Sequence, residues 1–146
     1  MDDHLNNLYQ ADFYRWLHHQ AALLQARDFE RLDLPNLIEE VESMGNNKKH
    51  QLEHRLEVLL MHLLKCQMQP QRITRGWIGT IVEQRKRIRK ALKKMPSLRA
   101  SLDASIAEAY EDAVDFAAFE TGLPKSSFPA APPYSTTQIL DEDFFP

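Results

Sequence analysis

Apolar residues recur along the chain at three- and four-residue intervals, and no alternating apolar–polar run of any length breaks that rhythm. Phe13, Trp16, Leu17, Ala21 and Leu24 form a first stripe, with Asp12 placed to cap it. Asp33-Leu34-Pro35 opens a second helix, because aspartate caps free amides and proline is tolerated in a first turn. Leu34, Leu37, Ile38, Val41 and Met44 then face one way until Gly45, where the pattern predicts a stop. Asn46 or Asn47 can cap a third helix whose core stripe is Leu52, Leu56, Leu59, Leu63 and Cys66, closed by Pro70. Thr74 can cap a fourth, with Trp77, Ile78, Ile81, Ile88, Leu92 and Met95 inward. Ser97 is placed to cap a fifth that carries Leu102, Ile106, Ala109, Ala113, Phe116 and Ala117 to Gly122.

Beyond Gly122 the composition changes. Pro124, Pro129, Pro132, Pro133 and Pro146 forbid a long helix, yet Phe128, Tyr134, Ile139, Leu140, Phe144 and Phe145 are not the residues of a solvated tail. The pattern predicts an extended strap, residues 123–146, laid over a helical bundle, residues 1–122, with one short helix opened by a Ser135/Gln138 capping box. The expectation is an all-α, single-domain bundle of about five main helices over residues 1–146. A chain of 146 residues buries enough surface for a core without disulfides or metals. Cys66 is the single cysteine, the N-terminal residues lack a secretory h-region, and the longest apolar run is far short of a membrane span. A soluble cytoplasmic protein is expected.

The order of several motifs carries a resemblance. "LYQADFYRWL", "LDLPNLIEEVESMG", "LEVLLMHLLKCQMQP", "SLRASL", "AYEDA", "ETGLP", "SSFP" and the terminal "LDEDFFP" resemble the domain of unknown function 29 family of bacterial proteins, over nearly the whole chain. The resemblance implies a small helical protein of cytoplasmic type. It carries over no activity and no site residues. Where the family usually shows Trp after "HLLK", this chain has Cys66, a smaller core side chain.

Charge is unevenly laid out. Residues 72–94 hold nine basic groups and one acidic, between two acidic segments. Lys86, Arg87, Arg89, Lys90, Lys93 and Lys94 cover the side of the fourth helix opposite its apolar stripe, a basic face whose simplest reading is solvated or internally compensated and whose next is a site for an acidic protein partner; a homo-oligomer is the other partner expectation for the chain. Nucleic acid or an anionic membrane surface is the weaker reading, since no aromatic residue shares that face and the overall pI is about 6.1. Glu108, Glu111, Asp112 and Asp115 on the next helix offer internal compensation.

Two constellations could carry chemistry. His50-Gln51-Leu52-Glu53-His54 matches the H-x-x-E-H pattern of one class of zinc peptidase. With Leu52 turned to the core, however, His50 and His54 lie roughly 160–200° away on the helix and face water. His50, Glu53 and His54 are therefore weak metal candidates, and neither metal nor cofactor is expected. Glu40, Glu42, Arg55, His62 and Arg85 lie on or beside apolar stripes and form a candidate interior polar cluster. Arg85 sits inside its stripe, so its charge must meet a carboxylate or carbonyls, with Glu40, Glu42 or Glu120 the expected partners. A structural network is the simpler account; a ligand- or metal-binding enzyme site in the bundle is the alternative. No glycine-rich phosphate loop, CxxC pair or nucleophile elbow is present, and the chain reads as a non-enzymatic interaction module or accessory subunit.

Overall fold

The structure, a computed structural model, describes residues 8–146. Residues 1–7, including the acidic start of the chain, lie outside the described residues. The fold is all-α: no strand occurs among the described residues. After a helical turn at 8–11 come α1 (Phe13–Gln25), α2 (Leu34–Met68), α3 (Arg75–Lys94), α4 (Leu102–Thr121) and the short α5 (Thr136–Leu140). Contacts group into two compact units, Met1–Asn47 and Lys48–Pro146.

Several boundaries obey local chemistry. Asp12 Oδ1 accepts from Arg15 N at 3.1 Å, and Thr74 Oγ1 from Trp77 N at 3.1 Å. Ser135 and Gln138 form both bonds of the capping box, at 3.1 and 2.9 Å. Gly122 takes φ +73°, the left-handed conformation that ends a helix without strain for glycine alone. Proline ends α2 as expected, since Met68 is its last residue and Pro70 starts a 3-10 turn.

Two boundaries differ from expectation. Gly45 ends nothing: α2 runs unbroken for 35 residues through it, so the expected second and third helices are one. Glycine costs about 1 kcal/mol in a helix but keeps its N–H, so the ladder continues where proline would break it. Residues 45–51 of this helix are all exposed. Ser97 caps no α-helix; Pro96–Ser101 is 3-10, and α4 starts only at Leu102.

In the first unit the buried side chains are Trp16, Gln20, Leu23 and Asp33. Trp16 Nε1 donates to Asp33 Oδ2 at 2.9 Å, and Asp33 N donates to Gln20 Oε1 at 2.8 Å. Asn36 Nδ2 donates to the same carboxylate at 2.8 Å. Asp33 thus ties the start of α2 to α1, and the inward side of α1 is 16-20-23. Phe13, Leu17 and Leu24 are exposed instead, as are Leu34, Ile38, Val41 and Met44 of the stripe on α2.

In the second unit one core gathers Leu52, Leu56, Leu59 and Leu63 of α2, Ile81, Ile88 and Leu92 of α3, and Ile106, Ala109, Ala113 and Ala117 of α4. Cys66 is buried among them, and burial pushes its thiol pKa up, as for an unreactive core residue. Phe116, expected inward, is exposed. The strap packs on this core through Phe128, Tyr134 and Ile139. Tyr110 Oη donates to Pro129 O at 2.6 Å, and Tyr134 Oη to Gln67 Oε1 at 2.5 Å, so both buried phenols are satisfied.

Removing the strap should therefore cost far more than removing a tail. Ile139→Ala, at a fully buried position, is expected to destabilise the fold by about 2–5 kcal/mol in urea unfolding, and a chain ending at Gly122 to lose more. A truncated chain that melts where the full chain does would contradict the packed strap.

Candidate functional site

The residues of the expected interior cluster each take a separate partner. Arg85 is 1% exposed. Its Nε donates to Ile139 O at 2.8 Å and its Nη2 to Gln138 O at 3.2 Å, while Nη1 has no hydrogen-bond partner among the described residues. The Phe145 ring lies 5.3 Å from the guanidinium carbon. Burial pulls the Arg85 pKa down, opposed by the charge of Asp141. The counterpart of this buried cation is thus the carbonyl end of α5, not Glu40, Glu42 or Glu120. A planar fork suits two adjacent carbonyls, which is why arginine fits here.

Arg55 is half-buried and donates from Nη1 to Gln84 Oε1 at 3.3 Å. His62 Nδ1 donates to Val58 O one turn earlier, at 2.8 Å. Glu40 accepts from the Tyr9 hydroxyl within the first unit, a bond that raises the phenol pKa to about 12. Glu42 is exposed. Glu120 pairs with Lys65, whose ammonium sits 4.3 Å above the Trp77 ring. Lys65 is buried, a role that the spacing did not announce.

His50 and His54 are exposed, and His50 Nδ1 lies 3.3 Å from Glu53 Oε2. Among the described residues no three His, Cys, Asp or Glu side chains converge on a point where an ion could sit.

The basic side of α3 has more structure than a solvated stripe. Between α2 and α3 runs a groove of about 250 Å³ bordered by Lys48, Arg55, Arg87, Lys90 and Lys94. Leu52, Ala91 and Met95 contribute apolar surface to it, and no carboxylate lines it. Arg87 pairs with Glu83 on its own helix at 3.0 Å, and Arg89 with Glu142 of the strap at 2.6 Å. Lys86, Lys90, Lys93 and Lys94 are exposed. None of these basic residues pairs with Glu108, Glu111, Asp112 or Asp115 among the described residues; Asp115 pairs with Lys125 at 2.6 Å. The internal compensation expected from α4 is not made. Sequence spacing found the α3 face but missed Lys48 and Arg55 as the opposite wall, because their approach depends on how two helices pack.

Three outcomes follow. Arg85→Lys should destabilise the fold by about 1–3 kcal/mol, since one ammonium cannot reproduce the two-carbonyl fork. Chemical denaturation checks this, and an unchanged midpoint would contradict the role given to the fork. His54→Ala should leave the melting temperature unchanged with or without chelator, and stoichiometric zinc lost on this substitution would restore the peptidase pattern. His62 has a pKa below its ordinary 6.5, chiefly because burial disfavours the charged ring. Its unfolded form therefore binds the proton more readily, and its contribution to stability is whole above about pH 6.5 and falls as pH drops through that value. Melting curves of His62→Gln should show a shallower loss between about pH 7 and 5 than the unsubstituted chain; an equal slope would assign the loss elsewhere.

No curated protein and no solved structure matches the chain. The family model of the domain of unknown function DUF29 matches residues 8–145, nearly the whole length. The helical order, the capped strap and this match agree, and the chain belongs to the DUF29 family.

Proposed function

We propose that this chain is a non-enzymatic helical interaction module of the cytoplasm, which docks an acidic protein surface on the basic side of α3. The observation that carries the reading is the carboxylate-free groove with cations on both walls and an apolar floor. Cations that are neutralised within a fold usually have acidic neighbours; here five converge with no carboxylate in the lining, and of them Arg87 alone has an ion pair among the described residues, to Glu83 outside the groove. A partner with acidic side chains around an apolar anchor would satisfy both the rim and the floor. The groove is smaller than the roughly 300–1,000 Å³ of small-molecule sites. Its lining has no aromatic side chain on which a base could stack, which favours protein over nucleic acid. No helix among the described residues is long and apolar enough to cross a membrane, in keeping with a soluble setting.

Full-length tagged chain and a Lys90→Glu/Lys94→Glu variant, both incubated with native lysate, test the reading. Surface reversals of this kind change stability by about 0.5 kcal/mol or less, so both baits should melt alike. Acidic proteins should be retained at low salt, released at high salt and lost with the variant. Identical proteins on both baits would sink the assignment. Loss of all partners on nuclease treatment, with a matching mobility shift of duplex DNA, would transfer the face to nucleic acid.

A further inference from the structure

The second unit also exposes a surface that complements the groove. Glu108, Asp112, Asp115, Phe116 and Phe119 of α4 fall within roughly 100° of one another on the helix and are all exposed. Phe119 is 87% exposed and Phe116 51%. Two large aromatic side chains ringed by carboxylates are what an apolar floor bounded by cations would receive. Asp112 lies close enough to Glu57 of α2 to help raise its pKa, after desolvation. Glu57 and groove-lining Arg55 are two residues apart, so they project about 200° apart around α2. The acidic and basic surfaces thus lie on opposite flanks of that helix, out of reach of one another within one chain.

We infer that the occupant of the basic groove is the acidic α4 face of a second copy of this chain, joined head to tail. Resting on the reading of the groove as a protein-docking site, this names the partner. Phe116 and Phe119 meet Leu52, Ala91 and Met95, while Glu108 and Asp112 meet Lys48, Arg55, Lys90 and Lys94; Asp115 is already paired with Lys125. Because the two surfaces lie on opposite flanks, the contact is heterologous and can add further copies. Its strength depends on ion pairs at a wet rim, so added salt weakens it.

Sedimentation of the full chain across a concentration series tests this. At low salt the weight-average mass should climb above the 17.0 kDa of one chain and return to it at high salt. Lys90→Glu/Lys94→Glu reverses the groove, and Glu108→Lys/Asp112→Lys reverses the face; all four positions are exposed. Each variant alone should stay at the single-chain mass, with an unchanged helical circular dichroism spectrum. Mixed in equal amounts they should associate again, since each reversed surface then meets its opposite. A single-chain mass at every concentration and salt, association that survives either reversal, or a mixture that stays dissociated overturns the proposal. If the chain stays single but the groove reversal still strips acidic proteins from the lysate bait, self-docking fails and the interaction-module reading stands. If the reversal changes neither, both fail.

Discussion

The guanidinium of Arg85 is the point on which the second unit turns. A buried cation without a partner would cost several kcal/mol, and the chain meets that demand with the carbonyls of Gln138 and Ile139. Those carbonyls exist in the right place only because α5 is formed, capped and seated. The capping box fixes the start of α5, Ile139 anchors its inner side, and Tyr134 and Phe144 pack edge to face at 5.7 Å just before and after it. The strap and α3 are therefore mutually required. Without the strap, Arg85 is a charge in an apolar stripe; without Arg85, two carbonyls at the end of α5 lose their donors.

How much of this could be read from the letters depends on the range of the interaction. Asp12, Thr74, Gly122 and the Ser135/Gln138 pair act over three or four residues, and each did what its chemistry implies. Gly45 stops nothing because propensity is a weak prior, and an uninterrupted hydrogen-bond ladder outweighs it. The buried side of α1 keeps Trp16 but turns toward Gln20 and Leu23, because Gln20 accepts from the backbone of Asp33, thirteen positions away, a partner that helical spacing does not reveal. That Arg85 is buried was legible from its place between Ile81 and Ile88. Its partners were not, because a backbone carbonyl has no letter of its own and every residue but its location is equally able to supply one.

The charge layout follows the same division. One basic helix and one acidic helix, adjacent in sequence, invite the expectation of mutual neutralisation. Packing separates them instead: α2 presents Lys48 and Arg55 to the α3 side and Glu57 toward Asp112. A segregated charge pattern of this kind leaves a directional field on a small molecule, with steering over about one Debye length, roughly 8–10 Å at physiological salt. It also lowers the chance of indiscriminate association, since like faces repel while unlike faces attract.

The stretch of α2 at residues 45–51 is exposed throughout and contains glycine, two asparagines and two lysines. No apolar burial supports it, so its backbone hydrogen bonds are held by helix propensity and by the anchored segments on either side. Local opening there exposes little new apolar surface and costs a small part of the global unfolding free energy. Its amide protons should thus exchange with solvent before those of the buried stretch from Leu52 to Cys66, and by a route that leaves that core intact. The long helix then need not open as one unit, since this stretch can melt and re-form without passing through the unfolded chain.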